Sequence, residues 1–235
     1  DTPSDEMVGW SGQTSHFVYR SGRLSIHPDS TGPKSTISHK YGETPTAWNF
    51  DLDCLMERLP SGQNTFEWHL FSFTDRQRKT SYFVCPDATG SAVRLCREVS
   101  DGSKSPKVSI LSSIELNDPS QSWQSLHVSV SHTRKGLCLS LREGEQTLFA
   151  DTVKIDRQGA FDGTMKFTAK YTKNEKKKLH WRLPAVTPVE DDPAEEPTPS
   201  PDPSPEEITG WEGQLSHFDY LGGKLSIAEK SSGPK

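Results

Sequence analysis

Long hydrophobic runs are absent from this chain. Nothing approaches the roughly 18–20 consecutive apolar residues that cross a bilayer, so no transmembrane segment is expected. No window carries a capped apolar stripe of helical period, which argues against a helical domain. Catalytic signatures are missing as well: there is no GxSxG, HExxH, phosphate loop or GxGxxG. Cysteine is scarce. Cys54, Cys85, Cys96 and Cys138 are too few for a disulfide-built scaffold, permit three full pairings and match no zinc spacing. Cys54 is read as a buried, inert thiol. Eight histidines are scattered without ligand spacing. Ser15-His16 recurs as Ser216-His217, but neighbours on a strand point to opposite faces, so adjacency does not make a nucleophile–base couple. The start, Asp1-Thr-Pro-Ser-Asp-Glu, is polar and acidic. No signal peptide is visible there, as in a mature, processed start.

One tract lacks basic residues altogether. Residues 187–208 hold eight acidic residues and seven prolines. Such a stretch cannot bury enough apolar surface to order itself and is expected to be an extended spacer. Removing its eight negative charges takes the remainder of the chain from −5 to +3, so the folded part is mildly basic. The only basic cluster, residues 173–182 (KNEKKKLHWR), is short and contains Glu175. It reads as a solvated turn entering a last strand, and no nucleic-acid partner is expected.

The spacer separates two copies of one segment. Residues 9–34 and 210–235 align without a gap, with 16 of 26 positions identical at an offset of 201. Short solenoid repeats have units of about 20–50 residues, so this offset indicates tandem copies of a whole domain. The expected organisation is a tail (1–7), a module (8–186), a linker (187–208) and the truncated start of a second module (209–235).

Within the module nearly everything reads as short strands. Trp48, Phe50, Leu52, Cys54 and Met56 alternate onto one face, as do Phe66, Trp68 and Leu70. Residues 81–85 and 92–96 flank a turn-rich stretch, and residues 126–131 and 137–142 alternate again. Further strands fit 147–153, 164–171 and 178–183. In the repeated segment Phe17 and Tyr19 share a face, Gly22 marks a turn, and Leu24 and Ile26 follow, which makes a hairpin. About a dozen strands with one apolar face imply two packed antiparallel sheets, an all-β sandwich of jelly-roll type.

These residues carry a resemblance. Trp10-Ser-Gly…Phe17…Gly22-Arg-Leu-Ser-Ile, Trp48-Asn-Phe-Asp-Leu, Ser81-Tyr-Phe-Val…Val93-Arg-Leu, Trp123…Leu126-His-Val-Ser-Val and the closing residues 163–181 occur in order. Together they resemble the laminin-G/concanavalin-like jelly-roll modules of large Bacteroidetes surface proteins, which often also carry lamin-tail domains. The resemblance implies that fold and an extracytoplasmic location, secreted or at the cell surface. Where that family usually ends on an acidic last strand, this chain has Trp181-Arg182-Leu183. Relatives of this kind can bind a calcium ion at a loop edge. Asp118, Asp151 or Asp156 would supply oxygens here, but no EF-hand string exists and no cofactor is expected.

Asp51-Leu-Asp53-Cys-Leu-Met-Glu57 is similar to the carboxylate strand of retaining glycosidases that share the concanavalin-like fold. Retaining hydrolysis needs carboxyl groups about 5–5.5 Å apart, whereas residues 51 and 57 of a straight strand stand roughly 20 Å apart. A hydrolase is therefore the minor alternative, and no catalytic residue is assigned. If apolar parity points inward, Asn49, Asp51, Asp53, His69, Arg94, His127, Ser129, Ser140 and Arg142 point outward, joined by Tyr82 or Phe83 according to register. Planar polar groups beside an aromatic platform suit sugars. The expected role is a non-enzymatic surface module binding a glycan or adhering through one sheet face, with Asp51, Asp53, His69, Tyr82, Arg94, His127 and Arg142 as its ligand-binding residues. The alternative is a structural module contacting a surface protein, with self-association through residues 209–235.

Overall fold

In the computed structural model the described residues are 7–42, 47–57, 65–102, 105–117, 123–172, 179–189, 218–221 and 224–227. The chain divides into two units, Asp1–Asp191 and Asp192–Lys235. No helix among the described residues is long and apolar enough to cross a membrane.

Unit one is a two-layer antiparallel sandwich whose order follows from alternating burial. Its strands are β1 (Trp10–Gly12), β2 (Phe17–Arg20), β3 (Arg23–Ile26), β4 (Lys34–Gly42), β5 (Trp48–Glu57), β6 (Thr65–Asp75), β7 (Arg78–Pro86) and β8 (Ala92–Ser100). They continue as β9 (Lys107–Glu115), β10 (Trp123–Thr133), β11 (Gly136–Glu143), β12 (Gln146–Phe149), β13 (Ala160–Lys170), β14 (His180–Trp181) and β15 (Ala185–Pro188). One sheet has seven strands in the order β1-β4-β13-β6-β7-β8-β9. The other has eight along β12-β11-β10-β5-β14-β3-β2 counted with β15, which pairs with β5 off that path. A 3-10 turn at Thr14–His16 leads into β2.

Parity in β5 is as the sequence predicts: Phe50, Leu52 and Cys54 are buried. Leu126, Val128 and Val130 of β10 and Leu137, Leu139 and Leu141 of β11 continue that inner face. In β6 the phase changes. Phe66 and Trp68 point inward, then an irregularity between His69 and Phe71 turns Phe71 and Phe73 inward too. Such a bulge adds a residue and resets which side chains face the core. The result is an aromatic centre in which Phe71 lies 6.0 Å from Phe50, 5.3 Å from Tyr82 and 5.8 Å from Phe161. Tyr41 is edge-on to Phe50 at 5.6 Å and donates its hydroxyl to the Leu70 carbonyl at 2.9 Å.

Three expectations are corrected. Strands β4 and β9 were not among those read from the sequence. Only Ser35 and Ile37 of β4 are buried, and Val108 and Ile110 of β9 are exposed, so neither shows a clean apolar phase. The strand expected over 147–153 stops at Phe149, leaving a single bridge from Val153 to Leu137. Residues 187–188, read as the start of the linker, are the last residues of β15: Thr187 pairs with Asn49 and Pro188 with Trp48. The rest of the tract to 208 lies outside the described residues apart from Val189, whose amide donates to the Ala47 carbonyl at 3.1 Å.

The hairpin of the first repeat has a two-residue turn in which Ser21 (φ 50°) and Gly22 (φ 75°) are both left-handed. That is the type I′ geometry whose twist matches paired strands. Its register sets Phe17 opposite Ile26 and Tyr19 opposite Leu24. In unit two, β16 (Phe218–Leu221) and β17 (Lys224–Ile227) pair Phe218 with Ile227 and Tyr220 with Leu225. The two copies of the repeat thus form the same hairpin.

Candidate functional site

The outward residues divide between two sheets. Asp51, Asp53, His127 and Arg142, with Asn49, Ser129 and Ser140, lie on the eight-stranded sheet. His69 and Arg94 lie on β6 and β8 of the seven-stranded one. The single face expected to carry them all does not exist. Alternation reveals which side of a strand is wet and is silent about which sheet the strand joins.

Tyr82 is a correction. Its side chain is fully buried against Phe71, and its hydroxyl donates to the Asp156 carbonyl (3.1 Å) and accepts from the Asp156 amide (2.9 Å). Phe83 takes the outer place, stacked on His69 at 4.9 Å, yet only 5% of it is exposed. This pair offers no open platform for a sugar ring. Burial lowers the His69 imidazole to about pKa 4; Lys166, Lys79 and Lys170 act in the same direction and Glu67 opposes them. His69 is therefore neutral near pH 7. Arg94 pairs with Asp87 at 3.6 Å, and Asp87 accepts the Ser91 amide at 2.8 Å. Arg94 is thus occupied in holding the β7–β8 turn.

On the eight-stranded sheet the residues converge. Pairing sets Asp53 opposite His127 and His127 opposite Arg142, a single row across β5, β10 and β11. Nδ1 of His127 stands 2.6 Å from Asp53 Oδ1, and Nε2 stands 3.3 Å from Asp51 Oδ1. One imidazole therefore fits between carboxylates two residues apart on the same face of β5. From the other side Arg182 extends the row. Its backbone amide donates to the Asp53 carbonyl at 2.8 Å, and its Nε lies 3.2 Å from Asp53 Oδ2. The fold places it there because Trp181 of β14 turns inward opposite Cys54, so the next residue turns outward.

Above this row opens a cleft of about 590 Å³, whose walls include Arg23, Ser125, Arg142, His180 and Arg182. Ligand clefts commonly span about 300–1,000 Å³. Arg23, Arg182 and His180 were missed as candidates. The signal for Arg182 is the parity of Trp181 within the strand expected over 178–183, where an inward Trp181 sends Arg182 outward. Arg23 is brought to the wall by its hairpin, which alternation alone does not reveal. Cys54 also lines the cleft. Burial, then the charge of Asp53, pushes its thiol well above the usual range, so no thiolate is available there near neutral pH. All four cysteines are free thiols.

Among the described residues no group of three or more His, Cys, Asp or Glu side chains is arranged to hold a metal ion. Of the expected calcium ligands, Asp118 lies outside the described residues and Asp151 is exposed. Asp156 accepts the Gln158 amide at 3.1 Å and approaches Arg78 at 4.0 Å.

No family profile and no curated protein matches the chain. Among solved structures it is similar to a legume lectin-like domain from Entamoeba histolytica, with a TM-score of 0.51, 10% identity, and 77% of this chain and 89% of that one covered. A carbohydrate-binding module, CBM66, from Bacillus subtilis gives 0.46 at 11% identity over 79% and 100%. The exoplasmic/lumenal domain of VIP36, in its Ca2+/Man3GlcNAc-bound form, gives 0.49 at 12% over 82% and 90%. At 10% identity the likeness to the Entamoeba domain is one of architecture: the chain carries a concanavalin-like antiparallel β-sandwich.

Proposed function

We propose that the module binds a saccharide, without catalysis, in the cleft of the eight-stranded sheet. The carrying observation is the row Arg182–Asp53–His127–Arg142, in which four polar groups from four segments are aligned along one open cleft. Carboxylates and guanidinium groups give planar acceptors and donors suited to vicinal hydroxyls. Asp53 is held by both His127 and Arg182, so its orientation is set before a ligand arrives, which lowers the entropy lost on binding. Fold alone would not support this reading, since one sandwich serves many functions.

A hydrolase is disfavoured by the same geometry. Asp51 and Asp53 both face one imidazole instead of flanking a gap sized for a scissile bond. The side chain of Glu57, the third carboxylate of that strand, lies outside the described residues.

On a glycan array, His127→Ala is expected to lower binding at least about tenfold, from the loss of one ligand hydrogen bond and of the group that holds Asp53. Arg94→Ala, on the opposite sheet, is expected to bind like the wild type. Equal loss in both variants, or in neither, removes the cleft from consideration.

The second reading is a structural or adhesive module of a tandem-repeat, exported surface protein. It is favoured by the identical hairpin registers of the two repeat copies. Partners under this reading are a surface protein or a second copy, met through residues 209–235.

A further inference from the structure

The charges lining the cleft do not cancel. Asp53 is the carboxylate among its described lining residues, and His127 and Arg182 engage it from either side, while Asp51 pairs with the other nitrogen of His127. Arg142 and Arg23 are exposed on the walls. Among the described residues neither guanidinium has an ion-pair or hydrogen-bond partner. Arg142 neighbours His127 directly across β10–β11. Arg23 begins β3 immediately after the Ser21–Gly22 turn. Two cations from separate elements thus border a site whose acids already have partners.

An isolated exposed arginine is ordinary surface. Here the two flank one cleft, and a guanidinium presents a planar fork that matches a carboxylate or sulfate in bidentate fashion. We infer that the cleft selects acidic saccharides, with Arg142 and Arg23 contacting the anionic substituent while the Asp53–His127 row contacts ring hydroxyls. This inference rests on the saccharide reading above. The shared ligand chemistry is a sugar carrying a fixed negative charge, and uronate and sulfate are its two sources.

Calorimetric titration of the full chain separates these points, using four probes: a neutral oligosaccharide, its uronate-bearing and sulfated counterparts of the same backbone, and polyglutamate. The uronate or the sulfated form is expected to bind about tenfold or more tighter than the neutral one, a gap that shrinks as salt screens the contact. Arg23→Ala is expected to narrow that gap and to leave neutral binding unchanged, whereas Arg142→Ala narrows it and also weakens neutral binding, because Arg142 belongs to the hydroxyl-facing row. Arg142→Lys, which keeps the charge and loses the fork, is expected to restore the gap only in part. Both positions are exposed, and circular dichroism checks that the variants fold. Equal affinity for neutral and acidic forms, a preference untouched by both arginine variants, or polyglutamate binding as tightly as the acidic sugar would each overturn the inference. In the first two cases neutral binding leaves the saccharide reading standing. Binding of no saccharide at all removes both.

Discussion

At the residue scale the two outer faces behave differently. In the cleft His127 makes its contacts outward with carboxylates, whereas His69 is packed under Phe83 and kept neutral by burial. Burial of His69 has a thermodynamic consequence. Its folded pKa of about 4 lies below the usual 6.5, so between these values the unfolded chain binds more protons than the folded one. Stability is therefore fully present above pH 6.5 and falls as pH drops toward 4, by up to about 1.4 kcal/mol per pH unit from this group. Urea unfolding at steps from pH 7 to 4 is expected to show that slope in the wild type and a flatter one in His69→Gln. Identical slopes would show that His69 is not responsible. How far single residues were legible depends on phase. Asp51 and Asp53 were placed correctly because Trp48, Phe50, Leu52 and Cys54 alternate without interruption. Tyr82 was not, because residues 82–85 are apolar or aromatic at both parities and carry no phase of their own.

At the element scale the irregularities decide the site. The short β14 and the separate β15 share the edge of β5, meeting it at Cys54 and at Trp48–Asp51 respectively. Arg182, between them, reaches Asp53. The strand expected over 178–183 is present as β14 but shrinks to His180–Trp181, whereas β15 was hidden by a composition that reads as the start of a linker. Elsewhere the register depends on close backbone approach. In β13 an irregularity falls between Gly163 and Thr164, and a Cβ built on Gly163 would meet the Gly42 carbonyl oxygen at 1.9 Å. Only the absence of a side chain permits that contact. Gly163→Ala is expected to destabilise the sandwich by at least about 2 kcal/mol, read as a lowered urea midpoint with unchanged m-value. A midpoint equal to the wild type would show that β13 and β4 can separate without cost.

At the scale of the whole molecule the sequence was most legible where it repeats. The conserved Phe–Tyr and Leu–Ile phases in residues 9–34 and 210–235 foretold a hairpin in each, and the pairings agree residue for residue. The sheet assignment was not legible, because joining β5, β10 and β11 in one layer and β6 and β8 in the other depends on contacts remote in sequence. If residues 209–235 mediate self-association, the full chain elutes earlier on size exclusion than its mass requires, while a chain ended after residue 194 elutes as a monomer. Monomeric elution of both at high concentration would count against that role. The central claim is that the ligand lies on the eight-stranded sheet, over Asp53, His127, Arg142 and Arg182. Backbone amide chemical shifts of the ¹⁵N-labelled chain, followed while an oligosaccharide identified on the array is added, test it most directly. Saturable shifts at these four residues, with His69, Phe83 and Arg94 unmoved, are expected. Shifts confined to His69, Phe83 and Arg94 would contradict it.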